Sequence, residues 1–303
     1  MAVAYAGEVT LPSPAVPDAL RPSEADVLAA WSARVVAERA QTDRCREVAD
    51  PADYYSPTAH RFRFDPSATL DAVGRALESM VRPAETWLDV GAGGGRYALP
   101  IARLASRVIA VDPSAAMLDT LRTGMTAAGV DNVAIVEGRW PPAGWASDPV
   151  ILDRVRADVG LIAHVGYDIE EIGPFLDALE EAVGRLCVAV MGEGAMTTVG
   201  RLYWAPIHGE ARIMLPALPD LLTLLMARGR LPEVHLVDRE PATAESFEAL
   251  HDRARRQLWL RPGSDRDRLL ERLLRADCRV ADGVWVLPED RARIGIVTWA
   301  PAG

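Results

Sequence analysis

Five short apolar runs rich in β-branched residues, at 86–90, 108–111, 133–136, 159–163 and 186–191, recur through the middle of the chain, most of them separated by helix-like segments. A strand buried on both faces reads as a continuous apolar run, because neither side of it meets water. Alternation of such runs with helices predicts a mostly parallel sheet with helices on both faces. Runs at 234–237 and 294–299 would bring the sheet to seven strands, and a small strand is expected around 284–287. The connection from 141 to 157 carries the weakest helical pattern.

Composition narrows what such a sheet serves. The chain has 303 residues, a formal charge of −10 and no lysine, so every one of its 33 basic residues is arginine. Phosphate loops of the Walker type, the protein-kinase lysine and lysine Schiff bases each need a primary amine and are excluded. The acidic balance argues against nonspecific wrapping of nucleic acid. Cys45, Cys187 and Cys278 are widely spaced, with no CxxC pair. No disulfide framework or zinc cluster is expected, and a reducing cytoplasm is the expected location. No secretory pattern opens the sequence, and no uncharged apolar run approaches membrane-spanning length. His60, His208, His235 and His251 lack HxxxH or HxH spacing, so no metal is predicted.

Three regions follow. Residues 1–66 form an arm with Pro12, Pro14, Pro17 and Pro22 and then a helical cover. Ser23 suits an N-cap, and Val27, Leu28, Trp31, Val35 and Val36 give a helix running to about Ala49. Residues 67–193 hold the core, which opens on a helix between Ser67 and Pro83. Residues 194–303 hold lid-like insertions plus the last two core strands, at about 233–239 and 293–299. Trp204, His208, Arg212 and a leucine-rich helix after Pro219 fall in the first insertion, and Trp259 and Trp285 in the second; they read as an apolar pocket wall or as a satellite core beneath a helical cap. The run Arg253, Arg255, Arg256, Arg261, Arg266, Arg268 and Arg272 is interrupted by Asp265, Asp267 and Glu271, the pattern of a salt-bridged helix surface.

The most informative segment is Trp87-Leu88-Asp89-Val90-Gly91-Ala92-Gly93-Gly94-Gly95-Arg96. A strand enters a turn where backbone can approach a ligand, and a helix with free N–H groups begins at once. A dinucleotide GxGxxG fingerprint would need glycine or alanine where Arg96 stands, which puts a nicotinamide oxidoreductase last. The spacing of Asp89, Gly91, Gly93 and Gly95 instead resembles the class I S-adenosylmethionine-dependent methyltransferases, and the fold implied is their Rossmann-like sheet. The resemblance implies a Gly91, Ala92, Gly93 and Gly95 backbone lying against the methionine and ribose portions of S-adenosylmethionine, with Asp89 anchoring the site. Asp112, twenty-one residues after Gly91, stands where a carboxylate accepts from the ribose hydroxyls. Pro113 suits the first turn of a helix, and Met117 resembles the position that packs on adenine.

Gly138, Arg139 and Trp140 form a looser match. Arg139 replaces the acid that many members use for the adenine amino group, leaving main-chain groups there for that task. Ala163 and His164 match the end of the fourth strand, and no (D/N)PP(Y/F) segment follows, which removes support for adenine-N6 and glutamine methylation. His164 is the candidate general base, against the reading that it only packs beside the ligand. Asp168 and Glu170 suit a helix cap better than a role in orienting His164. Tyr55 and an arginine, Arg63 in preference to Arg61, are expected in a segment folding over the ligand, where the arginine would pair with the methionyl carboxylate. The activity implied is methyl transfer to a small-molecule acceptor with S-adenosylhomocysteine as product. The alternatives are an RNA methyltransferase using the arginine run and a non-catalytic S-adenosylmethionine-binding module. The acceptor, the atom methylated and the oligomeric state stay open.

Overall fold

Seven strands hydrogen-bond in the order β3-β2-β1-β4-β5-β10-β6 in a computed structural model describing residues 21–49, 51, 53–56, 59, 62–148, 150–195, 197–239, 241–288 and 292–302. The Pro-rich arm up to residue 20, His60 and Arg61 lie outside the described residues. The strands are β1 (Thr86–Val90), β2 (Arg107–Asp112), β3 (Val133–Glu137), β4 (Ala157–Ala163), β5 (Val183–Gly192), β6 (Glu233–Asp238) and β10 (Arg293–Trp299). Each of the seven expected runs is a strand; β1 has the expected bounds and the others extend by one to three residues at one or both ends. All neighbours are parallel except β10, which runs antiparallel to both β5 and β6. β2 lies on one side of β1 and β4 on the other, so the order reverses at β1 and a crevice opens beyond the carboxyl ends of β1 and β4.

Side chains alternate cleanly between the two faces. Leu88, Val90, Ile109 and Val111 enter one core with α1 (Glu24–Cys45), α6 (Ile172–Ala182) and α8 (Leu218–Ala227). Trp87, Val108 and Ala110 enter the other with α2 (Ala72–Met80), α3 (Ala98–Ala102) and α4 (Ala115–Ala128). Among its described residues the connection from 141 to 157 holds only the short α5 (Val150–Asp153). Outside the sandwich, α7 (Thr198–His208), α9 (Phe247–Gln257) and α10 (Asp265–Asp277) build a third core around Trp204, Phe247 and Leu270. A small sheet of β7 (Thr243–Ala244), β8 (Arg279–Ala281) and β9 (Val284–Val286) joins them. Trp259 and Trp285 pack against that core, which makes the insertion a satellite core under a helical cap.

Several expectations change. α1 stops at Cys45 rather than near Ala49, because Arg46 turns extended and Glu47 donates its N–H to Trp259 O at 2.9 Å. The next helix starts only at Ala72, where Asp71 accepts from Gly74 N at 2.6 Å; Ser67 is held instead by Asp65. The leucine-rich helix is no lid: Leu218, Leu221, Leu224 and Leu225 of α8 are main-core residues. α1 likewise supplies Trp31 and Val35 to that core, with the Trp31 indole N–H on Ile169 O at 2.9 Å. Asp168 does not cap α6, whose N-cap is Glu171 with no side-chain bond. No described helix is long and apolar enough to cross a membrane.

Candidate functional site

β1 ends in a loop whose Gly91, Gly93 and Gly95 have φ of 77°, 54° and 88°. The Gly91 and Ala92 N–H groups donate to Val111 O at 2.8 and 3.1 Å, tying the loop to the end of β2. A Cβ on Gly91 would strike Val165 at 2.4 Å, so the loop and the chain after β4 can touch only through glycine. A Cβ on Gly93 or Gly138 would meet nothing within 4 Å. Both therefore border open space, and both hydrogen-bond to Asp112: Gly93 N to Oδ2 at 2.9 Å and Gly138 N to the main-chain O at 3.1 Å.

Asp112 is 8 % exposed, and its Oδ1 accepts from Ser114 N at 2.8 Å. Burial pushes its carboxyl upward against the pull of the Ser114 and Gly93 N–H groups. Each oxygen keeps a further lone pair for a ligand hydroxyl. Asp89 is buried, and burial together with the Asp112 charge pushes it up to about 7. Met117 is buried in the first turn of α4, with its N–H on Ser114 Oγ at 3.2 Å, while Pro113 is exposed.

The segment before the core folds against this loop. Ser114 Oγ donates to Asp53 Oδ2 at 2.7 Å, and Asp53 Oδ1 accepts from Tyr55 N and Ser56 N at 2.9 and 3.1 Å. The carbonyl of Phe62 crowds Gly94 so closely that an added Cβ there would come within 2.4 Å. Tyr55, 47 % exposed, meets Tyr54 and Phe62 edge-on, and burial followed by the charge of Asp168 raises its hydroxyl, with Asp112 contributing. Tyr54 is held in turn by Arg256 on its carbonyl and by the Trp259 ring, so the satellite core braces the cover. Asp53 went unnoticed in the sequence, where nothing distinguishes it from a surface acid. Removing the latch by Asp53→Ala deletes a charge-assisted bond worth about 1 kcal/mol at this partly exposed place. The expected result is about fivefold weaker binding of S-adenosylhomocysteine by calorimetry with little change in the ligand-free Tm; an unchanged Kd would show the latch irrelevant to ligand retention.

His164 follows β4 with φ 58°, a left-handed conformation rare outside glycine, while its N–H continues the ladder to Val190 O at 2.8 Å. The residue is exposed, yet the surrounding protein, followed by the positive charges of Arg96 and Arg239, depresses the pKa of its ring to about 4. Its ring lies 6.4 Å from that of Tyr97. Ala163 is half-buried beside it. Arg96 itself pairs with Asp71 at 2.5 Å.

The remaining sequence candidates are spread out. Arg139 and Arg63 are exposed. The Trp140 indole donates to Phe175 O at 3.1 Å and packs on the main core, so its side chain is occupied structurally. A groove of about 500 Å³ lined by Arg75, Met80, His235 and Val237 shares no residue with this site. Among the described residues no cluster of three His, Cys, Asp or Glu is placed to hold a metal.

An open sheet with its glycine turn at the switch point and a buried acid at the end of the adjoining strand is the Rossmann-like arrangement. Residues 88–149 match the family model for a methyltransferase domain. That segment, from β1 into the loop after β3, is similar to a methyltransferase domain. The chain is 30% identical over 131 residues to the 23S rRNA (uracil(1939)-C(5))-methyltransferase RlmD of Edwardsiella ictaluri, covering 38% of this chain and 30% of that protein. To the Vibrio parahaemolyticus RlmD it is 28% identical over 142 residues, covering 41% and 32%. The chain thus spans about a third of the length of these curated relatives. In fold it is similar to the YcgJ protein of Bacillus subtilis, with a TM-score of 0.51, 14% identity and coverage of 76% of this chain and 98% of that one.

Proposed function

We propose that this chain transfers a methyl group from S-adenosylmethionine to a small-molecule acceptor by in-line displacement. The observation that carries the reading is the open space bordered by Gly93, Asp112 and Gly138, where a buried carboxylate with spare lone pairs faces a backbone stripped of side chains. Bound S-adenosylmethionine supplies an electrophilic methyl group on a sulfonium. Asp112 accepts the ribose hydroxyls, Asp89 receives the methionyl amino group, and the backbone at Gly91, Ala92, Gly93 and Gly95 lies along the ligand. Met117, Pro113 and Ala163 pack around the adenosine, and Gly138, Arg139 and Trp140 offer main-chain groups to adenine. Tyr55 closes over the ribose side and excludes water, with Arg63 near the carboxylate end. His164 is neutral at pH 7, the state in which a ring nitrogen accepts a proton from the acceptor.

A small acceptor is favoured over RNA because the fold uses much of the arginine run internally. Arg255 pairs with Asp252 and Arg268 with Asp265; Arg253 binds the Thr243 carbonyl, Arg256 the Tyr54 carbonyl and Arg266 the Cys45 carbonyl. The two rRNA-modifying relatives keep RNA as the second reading.

The test is thermal unfolding with S-adenosylmethionine, S-adenosylhomocysteine and NAD. A ligand at a hundred times its Kd adds about 2.7 kcal/mol. Stabilisation by the two sulfur ligands together with acceptor-dependent formation of S-adenosylhomocysteine is expected. A shift with NAD alone overturns the assignment, and retention of the ligand with no turnover across a broad acceptor screen makes this a binding module. RNA binding with a steep salt slope replaces the small acceptor by RNA.

A further inference from the structure

Beyond β4 and β5, polar side chains gather that donor binding does not use. Tyr97 is 6 % exposed, yet its hydroxyl finds no hydrogen-bond partner among the described residues. Tyr167 accepts from Gly192 N at 2.8 Å through its hydroxyl, so its own proton is available to donate. Arg239 directly follows β6, and Arg201 of α7 lies against Gly194, with Nη1 4.0 Å from where a Cβ would stand. Burial and then the charge of Arg239 hold Arg201 below the ordinary arginine range, and Arg239 also acts on His164 and Tyr167. Tyr167 and Arg201 thus meet the same turn, Gly192 to Gly194, at the end of β5, while His164, with its ring 6.4 Å from that of Tyr97, is bonded through its N–H to Val190 two residues before that turn.

A buried hydroxyl without a partner is costly, and an anion beside it would accept its proton. A guanidinium carries five N–H donors, so the protein contacts these arginines already make do not exhaust them. We propose that the methyl acceptor bears an anionic group, a carboxylate or a phosphate, bound by Arg201 and Arg239 beside the hydroxyls of Tyr97 and Tyr167, with its nucleophile facing His164. This deepens the methyltransferase reading and rests on it.

The experiment uses the full chain saturated with S-adenosylhomocysteine. Inorganic phosphate, benzoate and the neutral analogue benzamide are titrated into the wild type, Arg201→Gln, Arg239→Gln, the double variant and Tyr97→Phe. Expected are binding of phosphate or benzoate at least tenfold tighter than benzamide, loss of that preference in the double variant, and affinity for S-adenosylhomocysteine unchanged within about twofold. Benzoate and benzamide binding alike, or an anion preference that survives the double variant, overturns the proposal. Loss of S-adenosylhomocysteine affinity in the arginine variants overturns it differently, by assigning these arginines to the methionyl carboxylate. Failure of the wild type to bind S-adenosylhomocysteine removes the methyltransferase reading itself, so the two failures are distinct.

Discussion

Asp112→Ala is expected to weaken S-adenosylhomocysteine binding by about 100-fold or more and to abolish the thermal stabilisation that the ligand confers. Two hydrogen bonds from ribose hydroxyls to an ionised carboxylate are worth about 1.5–3 kcal/mol each, and every 1.4 kcal/mol is a factor of ten. The same carboxylate accepts from Gly93 N and Ser114 N, so the substitution also loosens the loop and the start of α4. Near-ultraviolet circular dichroism of the ligand-free variant separates a folded protein with an emptied site from a collapsed one. A folded variant that keeps the full ligand-induced shift would remove Asp112 from the site.

The second large effect lies outside the site, at a buried ion pair that closes the sheet against the chain's last residues. Glu180 is 7 % exposed and accepts from the Trp299 indole at 2.8 Å and from Arg230 at 2.5 Å. Glu180→Ala leaves the indole N–H and the guanidinium without this carboxylate. Breaking a buried pair costs about 3–5 kcal/mol, and the lower end applies because Arg230 keeps some solvent contact. A loss of about 3 kcal/mol corresponds to a Tm lower by about 5 °C. Burial pushes the Glu180 carboxyl up, but the bonds from Arg230 and Trp299 outweigh it and hold the group below the ordinary glutamate range. A depressed carboxylate stabilises the fold above its unfolded value near 4.3 and ceases to as pH falls through its folded value. The Tm gap between wild type and variant should therefore be constant from pH 8 to 5 and narrow below about 4. A gap that widens on acidification would mean that Glu180 is not held ionised by its partners.

Much of the Rossmann-like core is readable from the chain because its signals are local. Continuous apolar strands report burial on both faces, and the turn from Gly91 to Gly95 reports backbone that must approach something closely. The spacing to Asp112 follows from one strand–helix–strand passage. The boundaries of α1 and α2 are less readable: Cys45 ends α1 because Glu47 is drawn to Trp259, a contact across more than two hundred residues. The leucines of α8 are legible as a helix, but nothing in their pattern tells a lid from a core layer, since both bury an apolar stripe.

What the sequence determined by itself was the sheet, the glycine turn and the acid at the end of β2, each set by residues within a few turns of one another. What only the tertiary structure decided was which distant side chains meet there. Asp53 latches onto Ser114, Tyr55 comes under the influence of Asp112 and Asp168, and Arg239 acts on both Arg201 and His164. The arginine-rich helices spend much of their charge on carboxylates and carbonyls of the same molecule. The reason is physical: hydrophobic periodicity states which face of an element is buried, whereas the partner of a charged or hydroxyl group is chosen by packing in three dimensions.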